Sequence, residues 1–402
     1  MNYNEWKTYT LGNIGLDIID GDRGKNYPNQ NDFSLKGFCL FLNTGNVTKN
    51  GFDFNKVQFI NREKDENLRK GKLCRNDIVL TTRGTLGNVG YYDMNIKYQD
   101  IRINSGMVIL RVSDFEILNV NFLYQFLTSN LFKDQVISFS SGSAQPQLPI
   151  KDLRQIEITL PNFHTQKKIA SILFSLDDKI ELNRQTNQTL ESIAQTLFKE
   201  MCLPKSEELP EGWRVGKLGD FMETISKTHK MKQEKIIFLN TSDILEGNIL
   251  HNNYSEVGSL PGQAKKSIQQ NDILLSEIRP VNKRFAFVDF DGKDFVVSTK
   301  LMVLRSKGEL SPYLFYCYLT SNETLNYLQH LAETRSGTFP QITFTQLEDL
   351  EITVPPQQVL ENLTHSVESI YKQILQNNKQ NQTLISIRDS LLPKLMKGEI
   401  EV

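Results

Sequence analysis

An internal duplication constrains the fold of this chain more than any other feature of its sequence. Pro146-Gln147 recurs as Pro340-Gln341, and Asn187-Gln188-Thr189-Leu190 recurs as Asn381-Gln382-Thr383-Leu384, in both cases 194 residues later. The other matching pairs are Trp6 and Trp213, Leu11-Gly12 and Leu218-Gly219, residues 76–80 and 271–275, and residues 157–161 and 351–355. Self-similarity at a fixed spacing is the signature of repeated structural units. The sequence therefore predicts two copies of one fold.

Each copy has a part of mixed character followed by a helical part. Short apolar runs bounded by Asn, Asp and Gly are typical of strands, and they lie at residues 78–80, 106–110, 236–239 and 296–303. Residues 121–134 and 312–331 have the apolar spacing of helices. Pro161 and Pro355 each follow a strand-like segment and suit the start of a helix. We predict α+β domains at residues 1–160 and 205–354, with long helices at residues 161–204 and 355–402.

Both helical parts carry a seam whose residues are spaced alternately by four and three, as in a coiled coil. The first seam consists of Ile169, Leu173, Leu176, Ile180, Asn183, Asn187, Leu190, Ala194, Leu197 and Met201. The second consists of Leu363, Val367, Ile370, Ile374, Asn377, Asn381, Leu384, Arg388, Leu391 and Leu395. A helix of about 35 residues is on the order of 50 Å long. Arg388 interrupts the second seam, and Pro393 predicts a kink or an end of that helix.

Two asparagines lie at the centre of each seam. A buried amide needs a hydrogen-bond partner, and polar seam residues fix the register of a coiled coil. If the helices pack antiparallel, Asn183 faces Asn381 and Asn187 faces Asn377. A parallel pair would also stack asparagines, but duplicated halves favour a twofold, antiparallel arrangement; the alternative is two independent amphipathic surface helices. The fold class that we predict is α+β, with two similar globular domains separated by a long antiparallel two-helix coiled coil and related by a pseudo-twofold internal duplication.

Composition excludes several classes of protein. The 402 residues include 46 Lys and Arg against 47 Asp and Glu, which argues against a histone-like electrostatic binder but allows a basic face. No apolar run approaches the roughly 20 residues of a membrane span, and the first residues do not resemble a secretory signal. The cysteines, far apart and without a CxxC pair, favour reduced thiols in a cytoplasmic protein; they are Cys39, Cys74, Cys202 and Cys317.

Motifs for catalysis or for a cofactor are missing from the sequence. There is no GxxxxGK[ST], HExxH or GxSxG motif and no cluster of His and Cys. Val354-Pro355-Pro356-Gln357 does not supply the motif of amino-methyltransferases, and Gly84, Gly87 and Gly90 are not spaced as GxGxxG. We therefore expect no metal, no cofactor bound by this chain and a binding role; the alternative is an enzyme with an undetected active site.

Polar and basic residues follow the predicted strands in both copies, and DNA is a partner whose faces recur about every 34 Å. Such side chains read base edges, and Lys and Arg neutralise phosphates. The candidates in the first copy are Arg23, Lys25, Asn26, Asn43, Thr44, Asn46, Arg69, Lys70, Lys72, Thr82, Arg83, Ser143 and Gln145. Those in the second are Asn240, Ser242, Glu277, Arg279, Lys283, Arg284, Arg335 and Thr338. Arg83 and Arg279 are the preferred base readers; the alternative is ordinary turns and solvated charges.

The motifs together resemble specificity subunits of type I restriction–modification systems. Residues 160–170, 183–185 and 190–199 resemble their central conserved region, and residues 391–400 resemble their carboxyl end. Trp6-Lys7 with Leu11-Gly12, and residues 209–213, resemble the starts of their two target-recognition domains, which contain motifs similar to residues 76–84 and 271–280. The second helix departs from this pattern, with Gln358-Val359-Leu360-Glu361 where the first has Gln166-Lys167-Lys168.

The resemblance implies a non-enzymatic subunit that binds double-stranded DNA. Each recognition domain would read one half of a split target, and the paired helices would set the gap. Two modification subunits, which methylate adenine with S-adenosylmethionine, would dock on the helices and adjoining surfaces. Restriction subunits using ATP and Mg²⁺ would join them. The alternative function is a stand-alone duplicated DNA-binding regulator without these partners.

Overall fold

The computed structural model describes residues 6–140, 146–202, 209–335 and 338–402, without the side chains of Ser140 and Arg335. The chain divides into two compact units: unit 1 is residues 1–179 and 383–402, and unit 2 is residues 180–382. Both divisions fall inside long helices of 40 residues each, α5 (Phe163–Cys202) and α10 (Gln357–Met396). Each unit therefore consists of one α+β head and a part of both helices.

The head of unit 1 is built on two sheets. Its strands are β1 (Lys7–Thr10), β2 (Leu16–Asp20), β3 (Cys39–Leu42), β4 (Val47–Thr48), β5 (Gly51–Phe52), β6 (Phe59–Ile60), β7 (Ile78–Thr81), β8 (Val89–Tyr91), β9 (Ile101–Ile103), β10 (Met107–Val112) and β11 (Glu157–Leu160). Its helices are α1 (Arg62–Asn67), α2 (Val120–Thr128), α3 (Asn130–Ser140) and α4 (Ile150–Leu153). One sheet is antiparallel in the order β2-β10-β7-β8, and the other has the order β6-β3-β9 with β3 and β9 parallel. Strand β1 pairs with β11, which joins the two ends of the head.

The head of unit 2 repeats this topology. Its strands are β12 (Arg214–Lys217), β13 (Met222–Thr224), β14 (Lys235–Leu239), β15 (Ile244–Leu245), β16 (Asn248–Ile249), β17 (Tyr254–Glu256), β18 (Ala264–Ser267), β19 (Ile273–Ser276), β20 (Phe285–Phe287), β21 (Phe295–Ser298), β22 (Leu301–Ser306) and β23 (Glu351–Val354). Its helices are α6 (Leu218–Phe221), α7 (Pro312–Thr320), α8 (Asn322–Arg335) and α9 (Phe344–Glu348). The order β13-β22-β19-β20 matches the first sheet of unit 1, and β14 and β21 are parallel as β3 and β9 are. The predicted α+β class and its duplication are confirmed.

The apolar run in strand β7 is continuous because both of its faces are buried. Successive side chains of a strand point to opposite faces. Ile78 and Leu80 therefore pack into the core beneath the helices, whereas Val79 packs against the second sheet. In unit 2, Ile273 and Leu275 likewise pack beneath the helices, whereas Leu274 packs against the second sheet. The run of three apolar residues thus places each central strand between two packed layers, and the first exposed side chains after it are Arg83 and Arg279.

Three sequence-based predictions of local structure were too simple. Residues 296–303 form two strands, β21 and β22, with a turn between them. The helical segments 121–134 and 312–331 are each divided by a serine in extended conformation, Ser129 or Ser321. Each serine hydroxyl accepts a backbone N–H of the following helix, at 3.3 and 3.1 Å respectively. A serine that caps a new helix ends the previous one.

The amides at the centre of the long helices pair as predicted. Within unit 2, the Asn183 Nδ2 donates to Asn381 Oδ1 at 2.9 Å, and the Asn377 Nδ2 donates to Asn187 Oδ1 at 2.7 Å. The residue number rises along one helix as it falls along the other, so α5 and α10 are antiparallel here. Asn183 and Asn377 are buried. The predicted register is confirmed, and the alternatives of parallel or independent helices are wrong.

The arginine that interrupts the second seam has a partner in unit 1. Arg388 Nη1 lies 2.9 Å from Asp177 Oδ1, and Asp177 Oδ2 accepts from Gln125 Nε2 at 2.8 Å. Residues 194 positions away from the ion pair are Ala194 and Tyr371, both buried in the core of unit 2. The same layer is therefore charged in one unit and apolar in the other. The predicted end of the helix at Pro393 is wrong, since α10 continues to Met396 with the proline in its last turn.

Candidate nucleic-acid interface

In unit 1, the ends of β2, β3 and β7 meet at the turn formed by residues 104–106. The Arg23 guanidinium donates to Ser105 O at 3.3 Å, and Asn104 N–H donates to Leu42 O at 3.1 Å. The N–H groups of Thr82 and Arg83 both donate to Gly106 O, at 2.8 and 3.2 Å. We call the surface formed by residues 20–27, 43–46, 82–87 and 104–106 edge 1. Loops predicted separately from the sequence are thus brought together by one turn.

A second set of contacts tightens edge 1. The Thr85 hydroxyl donates to Thr44 O at 3.1 Å. A Cβ on Gly106 would lie 2.8 Å from Thr44 Cγ2, so only glycine allows this approach. Asp22 accepts the N–H groups of Gly24 and Arg69, each at 2.7 Å. Burial alone would raise the pKa of Asp22, but these backbone N–H groups, that of Lys70 and the nearby Arg69 charge hold it below its usual value. The charged carboxylate therefore ties the Arg69 loop to the edge.

The candidates of unit 1 differ in what they present to solvent. The exposed ones are Arg23, Lys25, Asn26, Asn43, Arg69, Lys70 and Arg83, whereas Thr44 and Lys72 are half-buried. Asn46 and Thr82 are buried. Asn46 Nδ2 donates to Asp53 O and Lys56 O at 3.0 and 2.8 Å, and the Thr82 hydroxyl donates to Gly106 O at 3.1 Å. These two side chains hold the loops that carry the exposed candidates. Ser143 and Gln145 lie outside the described residues.

The basic run between residues 62 and 75 is in part bound by groups of the head itself. Lys72 Nζ lies 2.7 Å from Asp65 and 2.9 Å from Asp100. Arg102 is buried, pairs with Asp65 at 2.5 Å and donates to Lys70 O at 2.7 Å. Burial would raise the pKa of Asp65, but Lys72 and Arg102 hold it below its usual value. This buried network anchors the loop that exposes Arg69 and Lys70.

In unit 2, the corresponding strand ends form a second surface, which we call edge 2: residues 240–243, 277–284, 299–300 and 338–341. Glu277 N–H donates to Lys300 O at 3.0 Å, and Arg279 N–H donates to Pro340 O at 3.2 Å. Arg284 Nη1 donates to Ser242 O at 3.0 Å, which joins the first two segments.

The candidates of unit 2 also divide by exposure. The exposed ones are Ser242, Arg279 and Thr338, and the half-buried ones are Asn240, Glu277, Lys283 and Arg284. Asn240 accepts the N–H of the next residue and caps a short turn, and Lys283 Nζ lies 3.4 Å from Glu246. Nothing is described for the side chain of Arg335, which ends α8.

Arg83 and Arg279 lie in matching loops but at different positions. Arg83 forms an isolated bridge with Gln147, whereas Ile278 forms the corresponding bridge with Gln341. Arg279 is therefore the counterpart of Gly84, and both adopt a positive φ, 46° and 72°. A left-handed conformation is unfavourable for a residue with a Cβ and is found preferentially at functional sites. The two preferred arginines therefore lie one position apart within their matching loops.

Several residues near edge 2 were missed by sequence reasoning. Lys300 and Gln341 lie within it, and Lys266 Nζ lies 3.7 Å from Glu277. The repeated Pro-Gln pair was a usable signal, because it marks the segment beside the loop after each central strand.

A lysine-rich segment also lies near edge 2, since Thr228 bridges Lys266. Its exposed lysines are Lys227, Lys230, Lys232 and Lys235. Four lysines within nine residues were visible in the sequence.

The described part of the chain offers neither a metal site nor a membrane span. No group of three or more His, Cys, Asp or Glu in residues 6–140, 146–202, 209–335 and 338–402 is placed to hold a metal ion. Across the same residues, no helix combines the length and apolarity that crossing a bilayer requires. The two edges present hydrogen-bond donors, acceptors and positive charge.

Comparisons with known proteins give a consistent picture. A family model described as the type I restriction modification DNA specificity domain matches residues 3–192 and 210–384. The HindI specificity subunit of Haemophilus influenzae is 40% identical over 181 residues, which cover 44% of this chain and only 39% of that relative. The MjaIX specificity subunit of Methanocaldococcus jannaschii is 27% identical over 81% of this chain and 78% of its own length. The crystal structure of a type I S subunit from M. genitalium has the same fold, with a TM-score of 0.61, 17% identity and coverage of 98% and 97%.

Proposed function

Because this chain belongs to the type I restriction modification DNA specificity family, whose model matches both of its copies, we propose that it is the DNA-recognition subunit of a type I restriction–modification complex. Each unit reads one half of a split target through its edge. The chain itself performs no catalysis. Its cytoplasmic location follows from this role, since its target is the cell's own or incoming DNA.

The observation that carries this proposal is that one fold presents two different polar surfaces. Two backbone hydrogen bonds of Thr82, its N–H to Gly106 O and its carbonyl from Leu148 N–H, recur at Glu277 with Lys300 O and Ile342 N–H, so the loops begin in the same way. The side chains at matching positions differ: Thr82 corresponds to Glu277, and Gly84 to Arg279. Donors and acceptors on side chains determine which base edges are bound. Two such surfaces on one scaffold favour two unlike half-sites.

The paired helices supply the remaining parts of the proposed function. The amide pairs of Asn183 with Asn381 and of Asn187 with Asn377 fix the register of α5 against α10. A fixed register gives a fixed length of paired helix, which sets the gap between the half-sites. Two modification subunits dock on the helices and adjoining surfaces, and restriction subunits join them. S-adenosylmethionine, ATP and Mg²⁺ belong to these partners, and this chain binds no cofactor.

The test is to map methylated adenines across the genome of cells that have the modification subunit, with and without this chain. We expect methylation at one target made of two defined half-sites and a gap of constant length. The signal should disappear when the chain is removed. Methylation at a contiguous site, or methylation that persists without the chain, would contradict the proposal.

Arg83→Ala and Arg279→Ala should each relax one half-site and spare the other. A bidentate contact from arginine to guanine is worth about 1–3 kcal/mol of discrimination against a wrong base. The same mapping measures this as a new degeneracy at one position, and each variant is the control for the other. A uniform loss of methylation at all sites would instead identify the arginine as a phosphate contact.

A further inference from the structure

Edge 2 carries a cluster of charged and amide side chains close to the end of strand β19. Lys300 Nζ donates to Gln341 Oε1 at 3.2 Å. Lys266 Nζ lies 3.7 Å from Glu277 Oε1 and donates to Leu301 O at 2.8 Å. The side chains of Lys266 and Glu277 are only 13% and 18% exposed. These groups are therefore held in place before any ligand arrives.

The backbone shows that most of this cluster has no chemical counterpart in edge 1. Glu277 N–H donates to Lys300 O as Thr82 N–H donates to Gly106 O, so Lys300 stands where unit 1 has a glycine. Gln341 matches Gln147, which bridges the loop after the central strand in the same way. The acidic and basic groups are thus additions specific to unit 2, at the surface where the two units must differ if they read different sequences.

The cluster combines donors on Lys300 and Gln341 with an acceptor on Glu277. An ammonium group has three donors, and the bond to Gln341 uses one of those of Lys300. That bond is accepted by the amide oxygen of Gln341, so the NH₂ group of this side chain keeps its two donors. Glu277 supplies carboxylate oxygens, which accept only, and the adjacent Lys266 is a positioning residue for them.

This pattern fits a G·C base pair better than an A·T pair. In the major groove, guanine presents two adjacent acceptors, N7 and O6, and cytosine presents the N4 donor beside them. An A·T pair instead places a donor between two acceptors. We propose that Lys300 and Gln341 bind the guanine, and Glu277 the cytosine, of one G·C pair in the half-site read by unit 2. This inference rests on the proposed function.

The test uses the full chain with its modification subunits in cells. Once the wild-type target is mapped, a plasmid library carries it with each half-site position randomised in turn, and methylation of every variant is sequenced. The variants Lys300→Met and Gln341→Met remove the donors and keep side-chain length. Lys293→Met, in the same unit, removes an exposed lysine charge just before β21, at the opposite end of that strand from Lys300, and is the matched control. Thermal unfolding of each variant confirms that it is folded.

We expect one G·C position in a single half-site where Lys300→Met and Gln341→Met both reduce the preference for G·C by about 5- to 150-fold. The other half-site and the Lys293→Met variant should keep the wild-type pattern. A folded variant with unchanged preferences, or with a uniform loss over all positions, overturns the inference while the proposed function stands. The inference is also overturned if the half-site read by unit 2 consists only of A·T pairs. If the wild-type chain directs no methylation to a split target, the proposed function itself fails.

Discussion

Deleting residues 184–190 together with residues 374–380 is expected to shorten the gap in the split target by about 3 base pairs and to leave both half-sites unchanged. Seven residues of helix span about 10 Å, and base pairs rise by about 3.4 Å each. The two segments lie opposite each other in unit 2, because they contain the paired Asn187 and Asn377. Their joint removal keeps the spacing of the seam and the second pair, Asn183 with Asn381.

Methylation mapping measures this change directly. The control deletes residues 184–190 alone. That deletion shifts the rest of α5 by about two turns against α10 and places Ala194 in the seam position of Asn187, opposite Asn377, so we expect loss of the complex rather than a new gap. A double deletion that is folded and active but keeps the original gap would show that the helices do not set the spacing.

The sequence was sufficient for the features that depend on local pattern. The duplication, the α+β class, the antiparallel helix pair and its amide register are confirmed in the described residues. The membership of the family is confirmed by the match over both copies. These predictions succeeded because spacing along the chain decides them: heptads specify helix pairs, and a repeat implies a repeated fold.

Features that depend on partners distant in sequence were beyond such reasoning. Arg388 looked like a break in a seam, but its partner Asp177 lies more than 200 residues away. Lys72 looked like a phosphate contact and is held between two carboxylates instead. Which basic residues remain available to DNA depends on which carboxylates the fold places beside them, and a charge run does not show this.

The identity of edge residues was predicted only in part for a similar reason. Strand ends were recognised from apolar runs followed by polar residues, so Arg83 and Arg279 were found. Lys300 was missed because the segment around it looked like one continuous strand, whereas the structure has a turn there between β21 and β22. A short turn between two buried strands leaves little trace in composition, yet it brings a side chain to the centre of the edge.

Arg305→Met is expected to destabilise unit 2 by about 3–5 kcal/mol. The carboxylate of Asp272 is fully buried, and Arg305 binds both of its oxygens, through Nε at 2.7 Å and Nη2 at 2.8 Å. Removing the arginine leaves a buried charge whose remaining donor among the described residues is the N–H of Gln269, and a broken buried pair costs this much. Asp77 and Arg111 form the same bidentate pair in unit 1. Urea unfolding with probes in each unit measures the effect.

The matched variant Arg111→Met should destabilise unit 1 by a similar amount and leave the stability of unit 2 unchanged. The double variant Asp272→Leu with Arg305→Met should recover much of it, because replacing both members of a buried pair by apolar groups leaves no uncompensated charge. The pair lies at the start of β19, whose other end carries the loop of edge 2. Recognition of one half-site should therefore fail at a lower temperature than recognition of the other, and the order should reverse between the two single variants. Equal loss of both half-sites in both variants would show that the two units do not fold and bind DNA separately.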